Sequence, residues 1–321
     1  MGDELSVSVV IPTHDRRGLL ERTLASLAEQ DYPANLIEVV VADDASGDDT
    51  RTFLADLETP WRLVTPRHET NLGRAAARNT ALAECTGNIV LFIDDDMRCE
   101  PDLVSRHVAC HRRHPGTAFV GTALSDPSLG RSTVASFYDG MGVQRMPPGS
   151  EIPPRYFVTN NASVPRRSLE AAGGFDASFT RYGFEDCELA FRLEDQGLSF
   201  RHCAGAFAYH MEPVTLETFL RKRSESPRAI LDLLAKHPER EGDLPFEALM
   251  PPRPEDRLSL RLKKGLVRLL TARPLCVLVR RTAAALWWRR LSVPMVTYLV
   301  ACEYRRGFAH ELGERRPVRV P

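Results

Sequence analysis

Asp94-Asp95-Asp96 is the densest concentration of chemistry in the 321-residue chain, and it follows directly on the apolar run Asn88-Ile-Val-Leu-Phe-Ile93. Three adjacent carboxylates repel one another unless a cation offsets their charge. Capping of the helix that follows accounts for one of them at most. A divalent ion held by carboxylates and by a substrate's phosphates is the economical reading, so Mg2+ or Mn2+ and a phosphorylated ligand are expected. Glu185-Asp186, with Glu188, opens a second acidic cluster. A carboxylate there suits proton removal from a hydroxyl; the acidic first turn of a helix is the plain alternative. His210, taken alone, fits a hydrogen-bonded core or surface histidine as well as a ligand. His107, His111 and His114 fall at i, i+4 and i+7 without the acidic partner of a zinc protease, and read as a solvated helix face. No phosphate-loop lysine motif and no G-x-G-x-x-G occurs, so Walker-type ATP hydrolysis and dinucleotide redox chemistry lose support.

The elements that must position these groups alternate. Val7-Ser-Val-Val-Ile11 and Ile37-Glu-Val-Val-Val-Ala42 are apolar runs that end at Pro12-Thr13 and Asp43-Asp44, and each precedes a segment with leucines at helical spacing. Trp61 to Thr65 is a third strand, and an Ala-rich helix runs from Leu72 to Cys85. Asn88 to Ile93 is a buried strand, and a helix initiated at Pro101 reaches about His114. This order predicts an α/β fold, a mostly parallel central sheet flanked by helices, with its ligand at the carboxyl ends of the strands. The Gly-, Pro- and Ser-rich stretch 125–154 reads as a long loop, 156–164 as a strand, 185–196 as a helix, 200–210 as a strand or hairpin, and 215–237 as a long basic helix.

Four motifs then occur in order: Val9-Val-Ile-Pro-Thr-His-Asp-Arg16, Val40-Val-Ala-Asp-Asp-Ala-Ser46, Asn71-Leu-Gly-Arg-Ala-Ala-Ala-Arg-Asn79 and Phe92-Ile-Asp-Asp-Asp96. Together they resemble the nucleotide-sugar domain of family 2 glycosyltransferases, which have the GT-A fold. The resemblance covers about residues 6–210. It implies that Pro12 and Thr13 border the nucleobase, that Asp43 or Asp44 contacts the uridine, and that Arg78 lies near the base or diphosphate. Asp94 and Asp96 match the ends of the D-x-D motif, with Asp96 the direct metal ligand; Asp94 and Asp95 also fall in the nucleotide site. Phe175-Asp, Arg181-Tyr-Gly-Phe-Glu-Asp-Cys-Glu188 and Tyr209-His210 resemble the carboxyl-terminal part of animal galactosyltransferases and bacterial chondroitin-type polymerases. That likeness implies Asp186 as catalytic base, His210 as completing the metal site, and Glu185 as a contact for acceptor or donor sugar. Asn160 and Asn161 would bond sugar hydroxyls or phosphate or, equally, satisfy a sheet edge, and Tyr182 and Phe184 would support a pyranose face. The implied activity is a metal-dependent, inverting transfer from a nucleotide-diphosphate sugar, UDP-linked, to a hydroxyl of a glycan, lipid-linked sugar or small molecule. A sugar-phosphate nucleotidyltransferase is a rival, weakened because Thr13-His-Asp-Arg-Arg-Gly18 replaces the glycine-rich loop it needs. A non-catalytic nucleotide-sugar or glycan-binding protein is another.

Charge divides the chain. Residues 252–321 hold 16 Lys/Arg against 5 Asp/Glu, a net +11, while residues 1–251 hold 26 against 38, a net −12. The expected organisation is a glycosyltransferase domain over 1–240, with a nucleotide-binding half (1–124) and an acceptor half (125–240), then a basic helical appendage over 241–321. In that appendage Arg280-Arg281 and Arg289-Arg290 flank Leu286-Trp-Trp288, an arrangement suited to an anionic membrane surface or, equally, to packing on the acidic part or on a second subunit of a homo-oligomer. No nucleic acid is expected as a partner. Seven cysteines without a C-x-x-C pair argue against a disulfide framework or zinc site. With no signal-like start and no uninterrupted apolar stretch of about 20 residues, a cytoplasmic protein, peripheral at the inner face of the membrane, is expected.

Overall fold

The computed structural model describes residues 4–130, 132–180, 182–285 and 293–313. The apolar runs form β1 (Val7–Thr13), β2 (Ile37–Asp43), β3 (Arg62–Val64) and β4 (Ile89–Ile93), with α1 (Arg17–Ala28), α2 (Thr50–Asp56) and α3 (Arg74–Glu84) between them. β1, β2 and β4 are buried on both faces, as strands covered by helices on each side must be. Alternation divides their side chains between two cores. Val9, Ile11, Val39, Val41 and Leu91 go to one, and Val10, Val40, Val90 and Phe92 to the other.

β5 (Met97–Cys99), α4 (Leu103–Arg113) and β6 (Thr117–Ser125) follow, then α5 (Thr133–Asp139), β7 (Asn161–Pro165), α6 (Arg166–Ala172), α7 (Glu185–Asp195) and β8 (Ser199–His210). The eight strands make one sheet in the order β3-β2-β1-β4-β7-β6-β8-β5. The predicted parallel sheet is its first half, β3-β2-β1-β4. The second half is mixed: β7 runs antiparallel to β4 and β6, β5 antiparallel to β8, and β8 parallel to β6. Periodicity reports which face a residue takes and says nothing of strand direction. The stretch expected as a strand over 156–164 is shorter, starting at Asn161 after a 3-10 turn at Pro154–Tyr156. The expected loop 125–154 contains α5 and two further 3-10 turns.

β8 loses step with β6 midway. Val120 pairs with His202, but Thr122 pairs with Phe207, so residues 203–206 bulge from the ladder. Gly121 sits against that bulge, and a Cβ there would meet Asn161 Nδ2 at 2.4 Å and the Ala206 carbonyl oxygen at 2.7 Å.

The chain groups into two compact units. The first runs to Pro213, apart from short pieces at 131–137 and 181–184, which fall with the second unit, Val214 onward. The second unit is helical: α8 (Leu216–Lys236), α9 (Leu258–Leu270), α10 (Arg273–Ala285) and α11 (Val293–Glu311). Thr215 caps α8 by accepting from Thr218 N at 3.2 Å. α11 packs on α8 at Gly307, where a Cβ would lie 2.5 Å from Pro227 Cγ. Cys276 of α10 and Cys302 of α11 are joined by a disulfide, which the odd, scattered cysteine count argued against. Among the described residues no helix is long and apolar enough to cross a membrane. The Leu286-Trp-Trp288 segment and Arg289-Arg290 lie outside the described residues, as does Arg181.

Candidate active site

The carboxyl ends of β1, β2 and β4 bring the motif residues together within the first unit. Thr13, the last residue of β1, donates from Oγ1 to Asp95 Oδ2 at 2.8 Å, and Pro12 precedes it in the same strand. At the end of β2 both carboxylates organise loops. Asp43 accepts from Ser46 N at 2.8 Å and pairs with Arg67. Asp44 accepts from Leu72 N and Gly73 N, each at 2.8 Å, and from His68 Nδ1 at 2.7 Å. Ala45, directly after the two carboxylates, is left-handed (φ 63°), as is Asp15 after β1 (φ 53°). Residues with a Cβ avoid this region, and such strain concentrates at functional loops. Asp15 Oδ1 accepts from Gly47 N at 2.6 Å, and Asp15 N donates to Ser46 Oγ at 3.0 Å, which stitches the two strand-end loops together.

Arg78 on α3 is 2% exposed and sits among three carboxylates. Nη1 donates to Glu185 Oε1 at 3.0 Å, Nη2 to Asp94 Oδ1 at 3.2 Å, and Nη1 lies 3.7 Å from Asp186 Oδ1. Burial disfavours the guanidinium, but Asp186, Asp94 and Glu185 outweigh it and raise its pKa above the ordinary arginine value. Glu185 and Asp186 begin α7, where the helix dipole favours negative charge. Asp186 is further held by Thr159, whose Oγ1 donates to Oδ1 at 2.8 Å. Burial, reinforced by Glu185, nevertheless pushes the Asp186 carboxyl up to about 7, against the pull of Arg78 and Thr159. Glu185 Oε2 is buried without a hydrogen-bond partner.

The register of β5 on β8 brings the distant histidine in. Met97 pairs with His210, and Met211 N donates to the Asp96 carbonyl at 2.8 Å. His210 Nδ1 thereby lies 3.4 Å from Asp96 Oδ1, an oxygen that is buried and makes no hydrogen bond. His210 Nε2 is 3.1 Å from Tyr138 Oη and 3.3 Å from Asn160 Nδ2. Arg16 completes this side, with Nη2 3.0 Å from Asp96 Oδ2 and 2.5 Å from Glu212 Oε2, and Nε 3.4 Å from Asp95. Burial works against ionisation at Asp96, but His210 and Arg16 hold it down to about 2. Burial and the adjacent Asp96 push Asp95 up to about 7 in spite of Arg16.

Not every predicted residue joins this cluster. Asn161 is the first residue of β7 and turns away from the cluster, whereas Asn160 lies in the turn just before the strand. Asn161 Nδ2 donates to the carbonyls of Thr122 and Ala206, and its Oδ1 faces His107 Nε2 at 2.9 Å. Tyr182 and Phe184 fall with the second unit, where Lys222 lies 5.1 Å over the Tyr182 ring and Phe184 packs edge-on against Phe246. Two partners were missed by sequence reasoning: Thr159, which carries no signal in one dimension, and Arg16, which stands inside the first motif with no role read for it.

The expected solvated face of α4 is also corrected. His107 and His111 are buried, both within 2.8 Å of Ser163 Oγ, and His107 bridges on to Asn161. A neutral imidazole with both nitrogens engaged is tolerated in a core. Burial lowers the His107 pKa to about 4 and that of His111 to about 3. A histidine lowered in the folded state contributes stability that is complete above its unfolded value of ~6.5 and is lost as pH falls toward the folded value. As pH falls from about 6.5 to about 4, the parent is therefore expected to lose melting temperature relative to a His107→Gln/His111→Gln variant. Parallel slopes for variant and parent would remove the histidines as the cause.

The architecture is a mixed α/β sheet with carboxylates at its strand ends, a buried arginine among carboxylates and a histidine delivered from the last strand. Residues 8–163 match the family Glycosyl transferase family 2 and residues 89–302 match Glycosyl transferase family group 2; the chain belongs to the family 2 glycosyltransferases. A Bacillus subtilis (strain 168) protein named uncharacterized glycosyltransferase YfnE is 28% identical over 258 residues, 65% of this chain and 65% of that protein. The chondroitin synthase of Escherichia coli is 28% identical over 243 residues, 64% of this chain and 35% of the synthase. The chain thus spans less than two thirds of the length of either relative. Among solved structures, mannosyltransferase PcManGT from Pyrobaculum calidifontis, in complex with GDP-Man and Mn2+, superposes with a TM-score of 0.65 at 22% identity, covering 98% of this chain and 89% of that one. The shared architecture is the GT-A fold.

Proposed function

We propose that this chain transfers a sugar, with inversion, from a nucleoside diphosphate donor to an acceptor hydroxyl, and that Asp186 is the general base. The observation that carries this reading is the Asp186 carboxyl itself, partly buried at the start of α7, anchored by Thr159 and pushed up to about 7. A base poised near the working pH is both ionised and able to accept a proton. Asp186 takes the proton from the acceptor hydroxyl as its oxygen bonds to the anomeric carbon and the bond from that carbon to the diphosphate breaks. Arg78 fixes Glu185 and Asp94 relative to the base. The unpartnered Glu185 Oε2 and the Asn160 amide are suited to sugar hydroxyls. UDP-linkage rests on the resemblance of the strand-end motifs, and the acceptor is a glycan, a lipid-linked sugar or a small molecule.

The residues present fit a divalent cation. Asp96 Oδ1 is a buried carboxylate oxygen without a hydrogen bond that faces an imidazole nitrogen, a donor pair that leaves the remaining positions to phosphate oxygens and water. Asp96 and His210 would hold Mn2+ or Mg2+ together with a substrate's phosphates, with Asp94, paired with Arg78, nearby; among the described residues no third protein ligand groups with them. The ion, when bound, supplies positive charge to the departing diphosphate.

Incubation with UDP-, GDP- and dTDP-sugars and Mn2+ is expected to release nucleoside diphosphate and to raise the melting temperature, since a tight donor stabilises by mass action. His210→Ala is expected to weaken the Mn2+-dependent part of that rise about tenfold or more in donor affinity. No turnover and no thermal shift with any of the three donor classes would sink the reading.

A further inference from the structure

The second unit carries a helix turned the wrong way for its own core. On α9, Leu258, Leu262, Leu266 and Leu269 are 72%, 66%, 56% and 70% exposed, and at 3.6 residues per turn they fall within about 80° of one another. Lys264, about opposite that stripe on the helix, is buried, with Nζ 2.8 Å from Asp256 Oδ2 and 3.4 Å from the Pro251 carbonyl oxygen. The ion pair pins the rotation of α9, so the leucines are held outward by the unit's own packing. α10 continues the apolar exposure with Leu275, Val277 and Leu278. An exposed apolar patch of this kind marks a docking surface.

Charge selects the occupant. From Arg257 to Ala285 the sequence has no Asp or Glu, and Arg257, Arg261, Lys263, Arg268, Arg273, Arg280 and Arg281 are all exposed. Basic side chains flank the leucine stripe on both sides. A two-fold contact between copies through this face would set arginines against arginines. The acidic part of another copy would answer the charge but not the leucines. The surface of an anionic bilayer answers both, with headgroups for the basic rim and acyl chains for the stripe.

We propose that the α9–α10 face docks reversibly on anionic membrane surfaces, lying in the interface without crossing it. This goes beyond the transfer reading and does not depend on it. Taken together with that reading, on which this one step rests, docking selects the lipid-linked sugar from the three acceptor classes. The test is flotation of the full chain with vesicles of phosphatidylglycerol and phosphatidylcholine, and with vesicles of phosphatidylcholine alone. No activity is measured, so failure of docking and failure of the transfer reading are distinguishable.

The chain is expected to float with the anionic vesicles and at least about tenfold less with the neutral ones, and to lose binding as salt rises from about 0.1 M to about 0.5 M. A Leu262→Asp/Leu266→Asp/Leu269→Asp variant is expected to float at least about tenfold less at an unchanged melting temperature, because these side chains make no core contact. An Arg261→Gln/Lys263→Gln/Arg268→Gln variant, which keeps the leucines, is expected to lose its preference for the anionic vesicles. Absence of flotation, equal flotation with neutral vesicles, or equal flotation of the leucine variant would overturn the proposal. So would a sedimentation-equilibrium dimer that the leucine variant dissolves and that does not float.

Discussion

Asp186→Asn is expected to reduce sugar transfer by about 10²- to 10⁴-fold, the ordinary contribution of a positioned general base, and at the same time to raise the melting temperature above pH 7. The two effects share one cause. The carboxyl is raised to about 7 in the fold by burial and by Glu185, against ~3.9 in the unfolded chain. A carboxyl raised in this way contributes stability that is fully present below the unfolded value and is lost as pH rises through the folded one. The wild-type protein therefore gives up stability between about pH 4 and pH 7 to hold Asp186 ionised, whereas asparagine, of nearly the same shape, gives up none. Variant and parent should melt together near pH 4 and diverge toward pH 8, and the acid limb of the wild-type rate should rise through the same range. Transfer by Asp186→Asn at near the wild-type rate would remove Asp186 as the base. A variant that melts lower than its parent at every pH would refute the burial account.

Arg78→Met is expected to be the most destabilising single change in the first unit. The guanidinium faces Asp94, Glu185 and Asp186 from a site 2% exposed to solvent, and methionine, of similar length, leaves Glu185 and Asp186 with no opposing charge. Removing one partner from a buried ion cluster costs about 3–5 kcal/mol, readable as a lowered denaturant midpoint at unchanged slope. The deficit should shrink as pH falls, because protonated carboxyls no longer need the cation. A Glu185→Gln/Arg78→Met double variant should recover part of the loss. An unchanged midpoint for Arg78→Met would mean that solvent, and not Arg78, answers these charges.

Much of this site is visible in one dimension because strand ends are punctuated. An apolar run that stops at Thr13, at Asp43 or at Asp94 places its terminal polar group at the same edge of the sheet, whatever the strand order. His210 was found by likeness to known enzymes; its arrival beside Asp96 depends on a pairing of β5 with β8 that no local pattern encodes. The direction of β7 and β5 was hidden for the same reason. His107 and His111 were misread because a polar residue at helical spacing looks solvated until its hydrogen-bond partners, Ser163 and Asn161, are brought in from 50 or more residues away. The segment of α9 was legible as part of a basic helical appendage, but which way its leucines point is set by Lys264 and Asp256, a pair whose meeting is tertiary.

The bulge at residues 203–206 has a consequence for how this architecture can vary. Phe200 and Ala208 are both even-numbered and would share a face in a regular strand, yet Phe200 packs in one core and Ala208 in the other. The irregularity resets the alternation, so that the first part of β8 keeps phase with the core while the last part keeps phase with Asp96. The two parts are uncoupled like gears on separate shafts: side chains can be exchanged around Phe200 without turning His210 away from Asp96, and the tip can change its donors without disturbing the packing below.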